Sequence, residues 1–283
     1  MKPEKIKFFD AHVHFLWCGS FETVRENWQP LILRGLEGIA AIIKVDAPGD
    51  TNKFLEFIPT SYHQEVDPYF FKEGLGSDIS TAHKLGDLAV FPYVDCRYLE
   101  SGKTDLTRFR KAGFRGLKVL YIPEEDVEMG IVGWRNFFGR SEKESRKVVM
   151  GMIEQAVNFG WPIILHVNLK QYESFLTEIL ETYNKHPFII PHFGFSRKLM
   201  APFLERFESC YSDFSSLLPY MQQNPPGYLD FITDFQDRIL FGCDTTVGRR
   251  TVVEDYLDFF LRLSKDVNIR KKVLFENYLR IHS

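Results

Sequence analysis

The sequence predicts a single (β/α)8 TIM barrel, and three observations carry that prediction. Short apolar runs, each closed by a polar turn, alternate with helix-period stretches along the 283 residues. Such alternation implies a parallel sheet, and the count of eight runs favours a closed barrel over an open doubly wound sheet. The position after the first run reads DAHVHF, with no GxGxxG or GxxxxGK(S/T) anywhere, so the glycine fingerprint of an open nucleotide-binding sheet is missing. One barrel of about 250 residues uses nearly the whole chain. No repeat or low-complexity linker divides residues 1–283.

In chain order, the expected strands are Ile6–His12, Ile39–Val45, Leu88–Cys96, Phe114–Tyr121, Pro162–Val167, Phe188–His192, Cys210–Phe214 and Ile239–Cys243. Helix-period stretches fill the gaps at Phe21–Arg34, Ile79–Leu85, Asp105–Ala112, Glu142–Phe159, Tyr172–Tyr183, Lys198–Phe207 and Val252–Leu263, and Ile269–Arg280 closes the chain. Two connections are too long for plain turns: Gly49–Gly76 after the second strand and Ile122–Gly139 after the fourth. Both fall on the face where barrel active sites are built, as lids or substrate walls, or else as packed surface excursions or a dimer contact. Trp134, Phe137 and Phe138 in the second are placed to cover a ring-shaped substrate.

Composition excludes several classes. With 35 Lys+Arg against 38 Asp+Glu, the formal charge of -3 gives no electrostatic reason to expect nucleic acid or an anionic membrane surface. No apolar run approaches the roughly 20 residues of a membrane helix. MKPEKIKFFDAH passes straight from charge into a strand, without a signal-peptide core. Cys18, Cys96, Cys210 and Cys243 form no CxxC pair, so a reducing cytoplasm is the expected location. A small-molecule substrate is the expected partner, with a homodimer as the working assembly and no surface assigned to it.

The chemistry sits at strand ends. In Asp10-Ala11-His12-Val13-His14 the two histidines share a strand face, with Phe9, Ala11 and Val13 toward the helices. Two imidazoles on one side of a barrel mouth can chelate one metal ion. By itself the motif is weak, since a chain with eight histidines shows an HxH by chance in roughly one case in five. Position strengthens it. His166 ends the fifth strand in ILHVN, His192 the sixth in IIPHFG, and Asp244 the eighth in ILFGCD. All land at C-terminal strand ends, where barrel catalysis is found. Three imidazoles and a carboxylate suit zinc and also accept manganese or iron.

This constellation resembles the amidohydrolase superfamily, and most closely the amidohydrolase-related branch that includes aminocarboxymuconate-semialdehyde decarboxylase. The resemblance runs from FDAHVHF through FRGLKVL, ILHVN, IIPHFG and ILFGCDTT to VLFENYLRI. It implies that His12, His14, His166 and Asp244 hold one divalent metal, usually zinc, and that His192 is catalytic. TatD-like nucleases also begin with DxHxH, but they carry a glutamate on strand four where this chain has Lys118.

Lys118 divides two mechanisms. It shares a strand face with Gly116 and Leu120 and points into the mouth. Some members of the superfamily carboxylate a strand-four lysine to bridge two metals, which would recruit His192 to the second. A lysine there also occurs in the one-metal branch, and one metal is favoured. The other roles for Lys118 are an ion pair with Asp95 or a contact with a substrate carboxylate. Arg97 is placed either to grip a substrate carboxylate or to form a structural salt bridge. Tyr121, Asn168, Phe193 and Thr245 are placed at strand ends and can line the pocket. Asp10 is expected to orient its neighbours, while His63, His83, His186 and His282 receive no role. The leading reading is hydrolysis of a small lactone, amide or ester by a metal-activated water, with His192 or Asp244 moving the proton. Nonoxidative decarboxylation of a small unsaturated or aromatic acid uses the same ligands, and a non-catalytic metal-binding barrel is the third reading.

Overall fold

A computed structural model describes residues 6–15, 21–45, 55–56, 58, 63, 88–97, 99, 104–127 and 130–283, with 21–25 described for backbone only. The strands are β1 Phe8–His14, β2 Leu36–Lys44, β3 Ala89–Asp95, β4 Gly116–Leu120, β5 Ile163–His166, β6 Phe188–Ile190, β7 Cys210–Asp213, β8 Ile239–Leu240 and β9 Thr245–Thr246. Every neighbouring pair is parallel, in the order β8-β7-β6-β5-β4-β3-β2-β1-β9. β8 and β9 are two parts of the eighth barrel strand. β8 pairs with β7, the Phe241 carbonyl accepts the Ala11 amide at 2.9 Å, and β9 pairs with β1. The sheet therefore closes, and the fold is the TIM barrel that the alternation predicts.

The helices among the described residues are α1 Phe21–Arg34, α2 Thr107–Lys111, α3 Trp134–Phe138, α4 Glu142–Phe159, α5 Leu169–Thr182, α6 Arg197–Arg206, α7 Leu218–Gln223, α8 Pro225–Asp234, α9 Arg250–Leu263, α10 Val267–Lys271 and α11 Asn277–Ile281. The longest, α4, starts on a capping box in which Ser141 and Glu144 each accept the other's backbone amide. None is long and apolar enough to cross a membrane. The sequence pattern missed α7 and α8. α7 has only 6 residues, too few for a helical period, and α8 starts on the Pro225-Pro226 pair, which reads as a turn in sequence. The expected helix Ile79–Leu85, most of the Gly49–Gly76 connection, Cys18 and His83 lie outside the described residues.

Two apolar layers hold the barrel. The outer layer packs helices on the outward faces of the strands, through residues such as Leu117, Val119, Phe175, Ile179 and Phe260. The inner one fills the barrel with Phe9, Ala40, Ile42, Tyr93, Ile164, Ile189, Tyr211 and Leu240. At the end opposite the site, Tyr278 stacks on Phe9 at 4.8 Å and His282 reaches the Tyr93 hydroxyl at 3.0 Å. The Tyr93 ring lies so close to its strand partner Gly116 that a Cβ there would stand 2.4 Å from a ring carbon.

The expected facing of β1 needs correction. Phe9 and Ala11 belong to the inner layer, not to the helix side. The register steps from Asp10↔Ile39 to Val13↔Ala41, so β1 carries one extra residue. This bulge shifts the phase of the strand, and only beyond it do His12 and His14 turn together into the mouth.

Candidate metal centre and active site

His12, His14 and Asp244 converge at the C-terminal end of the barrel, each offering a ligand atom within 4.8 Å of the others. The Asp244 Oδ1 lies 3.3 Å from His12 Nε2 and 2.9 Å from His14 Nε2, and its Oδ2 lies 3.7 Å from His192 Nε2. Asp244 has a left-handed backbone (φ 52°) between β8 and β9, so the strand breaks where the carboxylate turns inward. Two residues earlier the space is tight: a Cβ on Gly242 would sit 3.2 Å from His12 Cβ and 3.3 Å from Asp213 Cβ, so a larger residue would push these side chains by a few tenths of an ångström.

His166 ends β5 and is buried, and its Nε2 has no hydrogen-bond partner. Its ring lies 5.4 Å from that of His192. Buried polar atoms are nearly always paired, so the orphaned His166 nitrogen, outside the group of His12, His14 and Asp244 but next to His192, is what a further ligand position would leave. The donor set therefore fits a divalent metal. His192 follows β6 in a run of left-handed residues, with φ of 56° at His192 and 51° at Phe193, rather than extending the strand as expected. Its Nδ1 lies 2.8 Å from the Ser215 carbonyl. A carbonyl only accepts, so Nδ1 carries the proton and Nε2 presents its lone pair toward Asp244.

Asp213, at the end of β7, organises this half of the mouth. Its Oδ2 lies 3.2 Å from His12 Nδ1, and its Oδ1 accepts the His192 amide at 3.1 Å and the Ser215 amide at 3.0 Å. A carboxylate on the far nitrogen of an imidazole fixes its tautomer and leaves Nε2 for a metal. Asp10 Oδ1 accepts the His12 and Cys243 amides at 3.0 and 3.1 Å, which ties the bulge of β1 to the eighth strand. Burial raises the Asp10 carboxyl to about 7 against those hydrogen bonds.

The other half is cationic. Lys44, Asp95 and Lys118 are register partners on β2, β3 and β4, one rung across three strands. Arg97 takes the Asp95 carboxylate, with Nε 2.8 and 3.0 Å from its oxygens and a further nitrogen at 2.7 Å. Of the two roles expected for Arg97, the structural salt bridge is therefore the one formed. Lys118 does not pair with Asp95, because Arg97 occupies that carboxylate. Its Nζ instead lies 3.1 Å from His12 Nε2. Lys44 Nζ is 3.4 Å from His14 Nδ1 and 3.7 Å from Asp95 Oδ2.

Burial dominates the acid–base properties. Desolvation holds His14 and His166 well below the usual imidazole range, and His192 below it. Desolvation would raise Asp244, but His12, His14 and His192 hold it well below the carboxylate range. Burial lowers Lys118 to about 8 and takes Lys44 well below its ordinary value.

The remaining expected residues sit elsewhere. Tyr121 stacks on Phe175 of α5 at 3.8 Å, on the helix side of the wall and not in the pocket, as the alternation along β4 requires. Asn168 caps α5 by accepting the Lys170 amide at 3.1 Å, so its side-chain oxygen is a helix cap. Phe193 packs on Phe231, Thr245 lies buried in β9, and Trp134 is fully buried under Arg140. His63 and His186 bond the carbonyls of Ile58 and Trp161. Lys44, Asp213 and Ser215 were missed. The first two sit at strand ends in IIKVD and CYSD, so the criterion that found His166 and Asp244 reaches them when applied to all eight strands.

No family model and no curated protein matches the chain. Solved structures do. A lactonase from Listeria monocytogenes aligns at TM-score 0.58 and 13% identity over 99% of this chain and 96% of its own. A phosphotriesterase homology protein from Escherichia coli, complexed with phosphate in its active site, aligns at TM-score 0.57 and 10% identity over 99% and 100%. An uncharacterized TIM-barrel protein from Bordetella bronchiseptica aligns at 0.57 and 14% over 97% and 98%. At such identities the likeness establishes the barrel fold.

Proposed function

We propose that this protein is a metal-dependent hydrolase of the amidohydrolase type, acting on a small lactone, ester or amide with one divalent metal, zinc by preference. The observation that carries the reading is the convergence of His12, His14 and Asp244 within 4.8 Å beside the orphaned His166 Nε2. Those four residues would hold the ion. When bound, such an ion polarises a carbonyl and lowers the pKa of water from 15.7 to about 7.

The chain's own groups do the rest. Asp213 holds His12 in the tautomer that leaves Nε2 open, and Asp10 holds the backbone of the bulge. His192, with its proton on Nδ1, presents Nε2 as an acceptor and takes the proton from the attacking water. Asp244 Oδ2, bonded by the Ser216 hydroxyl at 2.7 Å, is the second acceptor in reach. An accepting His192 Nε2 favours hydrolysis over decarboxylation, in which a protonated group must deliver a proton to carbon. The fold shared with a lactonase supports the same choice.

The test combines metal analysis of the purified protein with lactone, ester and amide panels run in 18O-labelled water. One equivalent of zinc and one labelled oxygen in the product support the reading. CO2 release without label assigns decarboxylation, two metal equivalents with a carboxylated Lys118 assign a binuclear centre, and absence of any metal removes the mechanism. His192→Gln keeps the ion and loses about 10²–10⁴-fold in kcat.

A further inference from the structure

Three cations are buried in one quarter of the mouth: Lys44 at 5%, Arg97 at 3% and Lys118 at 1% exposure. Buried charges of this kind are ordinarily paired. Here one carboxylate, Asp95, serves the rung, and Arg97 grips both of its oxygens. Of the two lysines that flank Asp95, Lys118 rests on His12 Nε2, and Lys44 rests on His14 Nδ1 with a longer ion pair of 3.7 Å to Asp95 Oδ2. Neither imidazole contact survives in a working centre. An ion held by His12 Nε2 takes the lone pair that Lys118 uses. An ion held by His14 Nε2 requires the proton to sit on Nδ1, so Lys44 loses its hydrogen-bond acceptor and keeps only the 3.7 Å ion pair with the carboxylate that Arg97 grips. The opposite carboxylates give no relief, because Asp213 serves His12, His192 and Ser215, and Asp244 is itself a ligand.

We propose that Lys44 and Lys118 are the two prongs of an oxyanion-binding subsite beside the metal position, with the Arg97–Asp95 pair as its rigid floor, and that the substrate carries a carboxylate or phosphate group there. Lys44 and Lys118 are strand neighbours once removed, so their Cα atoms stand about 10 Å apart, a span that one oxyanion bridges with two long side chains. The anion supplies the acceptor atoms that the two ammonium groups lack. The inference rests on the metal-dependent reading and sharpens it: the substrate is a small acid whose hydrolysable carbonyl lies next to its charge.

Calorimetric titration of zinc-loaded protein with malonate and, separately, with inorganic phosphate tests the subsite without turnover. Saturable binding of either probe is expected, and the tighter of the two assigns carboxylate or phosphate. Losing a hydrogen bond to a charged group is worth about 1.5–3 kcal/mol, so Lys44→Met and Lys118→Met should each weaken binding about 10- to 100-fold. Lys265→Met, at an exposed helix end, should leave binding unchanged. Each variant is first assayed for zinc, because uptake of one equivalent shows an assembled mouth. One equivalent of zinc in the wild type with no binding of either probe overturns the subsite and leaves the hydrolase reading standing. Binding that survives both lysine substitutions overturns it too, since the ion alone would then hold the anion. A chain that takes no zinc removes the hydrolase reading. The same titration on metal-free protein then judges the subsite separately, with lysine-dependent binding supporting it and absence of binding overturning it.

Discussion

The two halves of the barrel mouth solve the burial of charge in opposite ways. On the side of β1 and β5–β8, imidazoles and carboxylates face one another, with Asp213 serving three groups at once and His166 Nε2 left without a hydrogen-bond partner. On the β2–β4 side, two lysines flank a carboxylate that is already committed to Arg97. The first half offers the donor set of the proposed metal site. The second carries unspent positive charge and depends on something else to complete it.

The comparison can be broken most severely at Asp244. Apparent zinc affinities of about 10–16 kcal/mol spread over four ligands give about 2.5–4 kcal/mol to each. Asp244→Asn should therefore weaken zinc binding by about 10²–10³-fold, read by competition with a chromogenic chelator, while the metal-free fold remains. A next test runs in the opposite direction on the cationic side. Replacing a buried charge by an apolar group of similar volume is often stabilising, and desolvation lowers Lys118 from 10.5 to about 8. Lys118→Met should stabilise the metal-free protein by about 3 kcal/mol near pH 7, measured by urea unfolding. Between about pH 8 and 10.5 the unfolded chain keeps a proton on Lys118 that the folded chain has lost. Wild-type stability therefore rises with pH across that window, and the variant lacks this rise.

A smaller effect is expected at Asp213, which orients a ligand without being one. Asp213→Asn should cost about 10–100-fold in zinc affinity, with little change in the far-UV circular dichroism. The smallest effect is the acid limb of the imidazole half. His14, His166 and His192 are held below the usual 6.5, so the unfolded chain binds more protons as the pH falls through that value. The metal-free protein should then lose stability from about pH 6.5 downward, and urea midpoints at pH 7.5, 6.5 and 5.5 should fall in that order. A flat profile across that range would remove the neutral-imidazole assignment.

Much of this architecture was legible in the chain itself. Runs such as PIILHV and RILFGCD each contain the apolar stretch that makes a strand and the residue that ends it at the mouth, so the strand and its ligand are written together. Tyr121 shows how the same signal misleads: it too ends a strand, but an odd step along β4 sends it to Phe175 and the helices. The facing of Phe9 and Ala11 could not be read by simple alternation, because the bulge in β1 exists only against its partner β2. Lys44 and Asp213 satisfied the strand-end criterion and were passed over, since lysine and a lone aspartate look ordinary until their neighbours are known.

Local pattern alone thus determined the barrel and the strand ends at which His12, His14, His166 and Asp244 sit. These follow from apolar periodicity and residue type over a few positions. Tertiary structure alone decided the pairings: Asp213 with His12 across 201 residues, Arg97 on Asp95, and Lys118 on His12. The physical reason is closure. Register between strands is set when the sheet curls onto itself, and only then do charges far apart in sequence meet in a space too dry to leave them unpaired.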